Sequence, residues 1–218
     1  MIWEALLISL KVVLVSVFLS CTLGILLGYF MVEKNFKFKY IIETIIIFPM
    51  FLPPSAVGYL ILLILGKKGV IGEFLYNNFD MSIIFTWIGA VIVGIVVSIP
   101  IMYQSLKTSL LSVNDDVKNA AREMGAINFK LYRLISLPLS KKGLYTGIIL
   151  SIARVFGEFG ATILVAGNIQ GKTQTIPMAM YYAIENGDSG LANKILILIV
   201  LISVILTFSY NKIIKRIK

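Results

Sequence analysis

The chain has 218 residues, of which 58% are hydrophobic and 14% charged, with a mean hydropathy of +0.92 and a net charge of +9. Soluble domains carry about 25% charged residues, so the composition excludes an ordinary soluble enzyme or binding module and indicates an all-α membrane protein. With no histidine and a lone cysteine, Cys21, the chain forms no internal disulfide and no Cys/His metal cluster.

Five apolar segments are long enough to cross a bilayer, which takes about 20 residues of helix. They cover about 5–32, 40–65, 82–105, 143–166 and 191–210. The first opens on Met-Ile-Trp-Glu, without the basic stretch of a cleaved signal, and is expected to remain as a span. Phe18-Leu19-Ser20-Cys21 loosely resembles a lipoprotein cleavage box, but a small residue inside a helix accounts for it as well. Gly24 and Gly28 form a small-residue packing motif. Pro49, Pro53 and Pro54 interrupt the second segment. A broken membrane helix must line a cavity or be buried in protein, so Pro53-Pro54 marks either a kink near a gate or a static bend. Lys11 and Glu43 lie near opposite ends of their spans and are expected to reach headgroups.

Basic residues divide unevenly among the connections. Lys34, Lys37 and Lys39, then Lys107, Lys118, Arg122, Lys130, Arg133, Lys141 and Lys142, then Lys212, Lys215, Arg216 and Lys218 fall on one side of a five-span topology. Only Lys67, Lys68, Lys172 and Lys194 fall on the other. The positive-inside rule then puts the N-terminus outside and the C-terminus in the cytoplasm. Positive charge facing anionic headgroups accounts for the net charge without a nucleic-acid partner.

The loop over about 112–138 is the longest on the basic side. Asn114 is placed to cap a short helix, with Asp115 and Asp116 at its positive end. Val117, Ala120, Ala121 and Met124 form one apolar stripe, and Gly125 supplies a left-handed stop. Asn128 is placed to cap a second helix through Phe129–Leu137, ended by Pro138. A small apolar stripe on a loop either docks into a partner's groove or packs on the protein's own spans, and periodicity leaves both open.

In the fourth segment Arg154 lies about 12 residues past Lys142, roughly 18 Å deep at helical rise. Glu158 follows one turn later on the same face. A lone charge at that depth costs at least about 2.5–3.5 kcal/mol, so the two are expected to pair. Gly147, Ser151, Arg154, Glu158 and Ala161 share a small polar arc. This arc either lines a pathway or holds the bundle together, and in either case belongs against protein or water rather than lipid.

Beyond it, Gly171-Lys172-Thr173 follows Ala166 at the spacing of a phosphate-cradling loop. Such a loop must follow a β-strand and open a helix. Here a membrane helix precedes it and the first glycine is missing, so a polar turn is expected. The run Met178–Ile184 is too short to span and reads as an interfacial helix with its tyrosines at headgroup depth.

Asn119-Ala120-Ala121, Gly125, Ile135 and Leu137-Pro138 together resemble the coupling loop of ABC importer permeases, with Asn119 where that family has glutamate. The stretch Arg154 to Thr162, the following Val165-Ala166-Gly167-Asn168-Ile169 and Thr173-Gln174-Thr175 are similar to molybdate importer permeases. So are Phe48-Pro49 and Pro53 to Gly58. The resemblance implies a type I ABC importer permease fold, with one transmembrane domain over 1–218 and about five spans. The coupling residues would be Asn119, Ala120, Ala121, Glu123 and Gly125. A pathway or gate network would draw on Ser151, Arg154, Gly157, Glu158, Pro53 and Pro54.

The implied partners are a second copy of the chain, two cytoplasmic ABC ATPase subunits that hydrolyse the ATP, an external oxyanion-binding protein and membrane lipid. No cofactor, metal or catalytic residue is implied. The expected function is import of molybdate, or of tungstate, by alternating access. The alternatives are a permease for sulfate- or phosphate-type oxyanions and an ATPase-independent channel or secondary transporter.

Overall fold

The computed structural model describes residues 1–34 and 36–216, with Arg216 described by its backbone alone. Lys218 of the basic tail lies outside the described residues. Every regular element among them is helical. In chain order these are α1 (Ile2–Gly28), α2 (Lys39–Ile47), α3 (Pro54–Leu65), α4 (Val70–Phe79), α5 (Trp87–Leu111), α6 (Asp115–Glu123), α7 (Asn128–Leu131), α8 (Leu137–Leu139), α9 (Lys141–Phe156), α10 (Gly160–Ala166), α11 (Ile176–Glu185) and α12 (Ser189–Arg216). A π-helical turn, Tyr29–Glu33, continues α1, a 3-10 turn, Phe48–Phe51, continues α2, and a second π turn, Tyr132–Ser136, joins α7 to α8.

Among the described residues three helices are long and apolar enough to cross a membrane, and two bent pairs raise the number to five if each pair is one span. The first, third and fifth expected segments appear as α1, α5 and α12. α5 begins five residues later than its segment because Thr86 caps it, accepting from Gly89 N at 3.3 Å. It runs on through Pro100 to Leu111.

The second and fourth segments are not straight spans. The axis turns by 118° between Lys39–Phe51 and Pro54–Leu65, where Pro53 and Pro54 leave no donor for a continuing ladder. It turns by 62° between Lys141–Phe156 and Gly160–Ala166, at a link with glycine at both ends. Apart from Arg154 and Glu158 the residues flanking this second break are apolar or small, so the sequence predicts a continuous helix across it.

The centre of the molecule is the contact of α1 with α5. Gly24 is so close to α5 that an added Cβ would lie 2.7 Å from Met102 Cγ, and Gly28 is enclosed by Leu106, Leu110 and Tyr132. The glycine pair is thus intrachain packing. Hydroxyls stitch the same seam: Ser16 donates to Val91 O at 3.0 Å, and Ser20 and Ser98 share a hydrogen bond of 2.6 Å. Around the seam lies a core of small and β-branched residues, including Val13, Ala90, Val93, Ala161 and Val165. Without a hydrophobic driving force between helices in lipid, such close packing and hydroxyl pairing are what hold spans together.

Lys11 is exposed and Glu43 half-buried, and each has a partner within the chain. The Lys11 ammonium lies 3.6 Å from the Trp87 ring centre, and Glu43 pairs with Lys107 and accepts from Tyr103 Oη at 3.1 Å.

Candidate functional site

Two regions carry the candidate residues. The first is the segment 112–140 at one end of the bundle. The Asn114 side chain accepts from Asp116 N at 2.8 Å and opens α6, and Gly125 closes it at φ +83°. Both ends are as the sequence predicts. The apolar stripe divides. Ala121 is 2% exposed, whereas Val117, Ala120 and Met124 face outward, Met124 at 80% exposure. The chain's own bundle therefore takes up only the Ala121 edge of the helix, and the rest of the stripe is uncovered. Glu123 is exposed as well. Asn119 accepts from Arg122 Nη1 at 2.7 Å, a neutral partner where glutamate would give an ion pair. No atom lies within 4 Å of a Cβ built at Gly125.

The second helix of this segment departs from expectation. Asn128 takes φ +50° and is already inside α7, Ile127 occupies the cap position, and no side chain caps it. Pro138 is the second residue of α8, directly after the π turn, and does not terminate the helix. The chain runs on as α7, a π turn and α8 to Ser140.

This strand of helices is clamped to the spans by residues that sequence reasoning missed. Tyr132, 1% exposed, donates to Ile25 O at 2.7 Å, and Ser136 donates to Glu33 Oε1 at 2.7 Å. Tyr132 packs against Tyr29, ring centres 5.3 Å apart, and both join Leu106 and Leu110 in a small core of their own. Burial, and then the nearby Glu33 carboxylate, push the Tyr132 phenol above its usual range, so it stays a donor. These partners lie 107 and 103 residues apart in sequence. The one local signal was an aromatic pair within otherwise basic and aliphatic segments.

The second region is the paired break. Arg154 Nη1 lies 2.5 Å from Glu158 Oε2, so the expected pair forms. The single helix that was to carry both residues does not, because Gly157 ends α9 and Glu158 sits in the link. Its other oxygen, Oε1, accepts from Ala161 N at 2.8 Å and so satisfies a free donor in the first turn of α10. The Glu158 side chain is 3% exposed and that of Arg154 34%. Ser151 is fully buried, its hydroxyl without a hydrogen-bond partner.

Pro53 caps α3 and Pro54 opens it. The two breaks touch: a Cβ added to Gly160 would meet Pro54 at 3.0 Å, and one added to Gly58 would lie 2.7 Å from Ala161 Cα. The fold thus brings together Pro54 with the Gly157–Gly160 link, a juxtaposition that no spacing in the sequence reveals.

The stretch after Ala166 is a folded turn. Thr173, fully buried, accepts from Ile169 N at 3.0 Å and donates to Gly167 O at 2.9 Å, while Ile169 O accepts from the N–H groups of residues 172–174. A helix precedes it, and its hydroxyl is committed, so it offers no phosphate cradle. The helix expected at about 178–184 is present as α11. It is anchored inward, with Ile176 N donating to Ser9 Oγ at 2.8 Å, and Tyr181 is left half exposed. Among the described residues no group of His, Cys, Asp or Glu could hold a metal ion.

Residues 20–218 match the family described as binding-protein-dependent transport system inner membrane component. The chain is 40% identical to the molybdenum transport system permease protein ModB of Escherichia coli K12 over 209 residues, 95% of this chain and 91% of that protein. It is also 40% identical to ModB of Haemophilus influenzae, over 82% of this chain and 78% of that one. The sulfate transport system permease protein CysW of Synechococcus elongatus is 33% identical over 80% of this chain and 61% of its own length. A bacterial alginate ABC transporter, solved in complex with a periplasmic protein bound to an alginate pentasaccharide, has a chain of the same fold. It covers 98% of this chain at a TM-score of 0.80 and 18% identity.

Proposed function

Since the chain belongs to the inner membrane components of binding-protein-dependent transport systems, we propose that it is the permease of an ATP-driven importer whose cargo is molybdate. The single transmembrane domain takes in residues 1–218, with the N-terminus outside and the C-terminus in the cytoplasm. This orientation rests on the basic residues gathered around α6 and the tail. The cargo assignment is supported by identity to molybdenum permeases over most of the chain, against lower identity to sulfate permeases. Tungstate, with the same charge and nearly the same size, is a second cargo on the same chemistry.

The observation that carries the mechanism is the uncovered stripe of α6. Val117, Ala120 and Met124 project from the bundle on a helix whose other edge is clamped to it. Such a helix is a docking element. Two ATPase subunits, one on each copy of a permease pair, would grip α6 and hydrolyse the ATP. A pull on α6 reaches α1 through Tyr132 and Ser136. The facing breaks at Pro53-Pro54 and Gly157–Gly160 are where the spans have discrete freedom to turn, which alternating access requires. An external binding protein would deliver the oxyanion. A self-sufficient proton relay through Arg154 and Glu158 is disfavoured, because both carboxylate oxygens of Glu158 are committed to structural partners.

The test is uptake of labelled molybdate by liposomes holding the permease with its ATPase and binding protein. Import that needs ATP, and that excess tungstate competes with more strongly than sulfate, is the expected result. Flux through the permease alone, or preference for sulfate, overturns the reading. For α6, Gly125→Asn keeps the left-handed conformation and should leave ATPase assembly nearly intact, whereas Met124→Asp should release the ATPase from membranes. Retention of the ATPase by the Asp variant refutes the docking role.

A further inference from the structure

Away from the Arg154–Glu158 pair, a cleft of about 550 Å³ opens between the second half of α5 and the start of α9. It lies in the half of the bundle nearer α6. On α5, Gln104, Ser105, Thr108 and Ser109 fall within an arc of about 140° at helical spacing. Thr146 and Lys142 of α9 face them across the cleft. A polar stripe of this length on a membrane-spanning helix needs protein or water beside it.

The hydrogen bonds separate wall from ligand-facing groups. Ser105 donates to Gly143 O at 2.9 Å, Ser109 to Ser140 O at 3.3 Å and Thr108 to Gln104 O at 2.9 Å. These three hydroxyls spend their protons holding α9 and α5 in place. The Gln104 amide, the Thr146 hydroxyl and the Lys142 ammonium have no hydrogen-bond or ion-pair partner among the described residues. All three are donors, and Lys142 is exposed at the rim. Among the described residues no acidic side chain lines the cleft. Glu43 on α2 is occupied by Lys107 and Tyr103.

The geometry points to this cleft as a transient oxyanion subsite on the inner half of the pathway. Gln104 and Thr146 donate to a tetrahedral oxyanion there, and Lys142 offsets part of its charge. This assignment rests on the importer reading above and adds to it where the anion is handled within the chain. Arg154 is unsuited to that task, since its charge is cancelled by Glu158. Two neutral donors and one solvated cation give an interaction strong enough to guide an anion and weak enough to release it, as conduction requires.

The experiment uses the assembled transporter in liposomes. Thr146→Val and Gln104→Leu each remove one donor, and each should lower molybdate uptake about tenfold, the worth of one hydrogen bond to a charged group. ATP hydrolysis driven by loaded binding protein should remain within about twofold, since assembly and docking are untouched. Thr146→Ser, which keeps the hydroxyl, should restore uptake. Unchanged uptake in the Val and Leu variants overturns the subsite, while a wild-type transporter that imports no oxyanion overturns the importer reading instead.

A second readout is independent of turnover. In a Cys21→Ser background, Thr146→Cys should react with sulfonatoethyl methanethiosulfonate, and millimolar molybdate should slow that reaction at least about threefold. Thr146→Cys that is unreactive, or reactive but unprotected by molybdate, refutes the assignment even if a Val or Leu variant fails to assemble.

Discussion

The α1–α5 seam and the α3–α10 contact are built from the same small residues, yet one is a straight weld and the other joins two broken helices. In the seam, Gly24 and Gly28 sit inside an unbroken helix and face side chains. Their role is to remove bulk, and the chain stays helical past both, passing into a π turn after Gly28 without a break. At the α3–α10 contact, Gly58 faces backbone atoms of Ala161, and Gly160 faces Pro54 at the start of a helix. Here the ladder stops on both sides, and a buried carboxylate takes over one orphaned N–H. The difference teaches that a small residue sets how near two helices come, while continuity is decided by what satisfies the backbone where the chain turns.

The largest expected effect that would break this comparison is at Glu158. Glu158→Ala leaves Arg154 unpaired and a donor of α10 unmet, and should cost about 3–5 kcal/mol. Thermal unfolding of the purified permease would show it, with Glu158→Gln, which keeps an acceptor for Ala161 N, losing less. A Glu158→Ala protein as stable as wild type would mean that the break does not depend on its carboxylate.

Next come the matched glycines. Gly58→Ala drives a methyl into backbone that cannot yield and should cost about 1–3 kcal/mol. Gly24→Ala meets the adaptable Met102 side chain and should cost less. The reverse order in the same melting assay would erase the distinction between the two contacts.

Tyr132→Phe removes the side-chain donor to Ile25 O, which keeps its bond from Tyr29 N, and should cost about 1 kcal/mol. The raised phenol fixes the sign of its pH dependence. Its contribution is fully present below the unfolded value, about pH 10, and falls as pH rises through the higher folded value. Melting of wild type and variant compared at about pH 8 and pH 11 should show the gap narrow at the higher pH.

The smallest effect is Ser20→Ala, which unmakes one hydroxyl pair in the seam at about 0.6 kcal/mol. A loss several times larger would assign the seam's strength to its hydroxyls instead of its packing.

How much was legible follows from the range of the forces involved. Spans α1, α5 and α12 were readable because apolar length is a local property. Both ends of α6 were readable because Asn114 and Gly125 act on their own neighbours. The turn at Thr173 was readable because a helix, not a strand, leads into it. The Gly157–Gly160 break was hidden, since Val155, Phe156 and Phe159 continue the apolar pattern around Glu158 and its one-turn spacing from Arg154 suits an unbroken helix. Asn128 and Pro138 misled because their usual local roles were overridden once Tyr132 and Ser136 were tied to α1. The meeting of Pro54 with Gly160 and the exposed fate of Met124 were tertiary facts without a sequence signature.

The two oxygens of Glu158 hold different things, a cation one turn back and an amide one turn ahead. A joint turned halfway satisfies neither, and each bond to the charged group is worth about 1.5–3 kcal/mol. Such a hinge has a detent: it resists small torques, then gives way at once. On the proposed mechanism, a motor working through it meets a threshold rather than a spring, and small thermal nudges on one face of the membrane do not leak through as partial opening on the other.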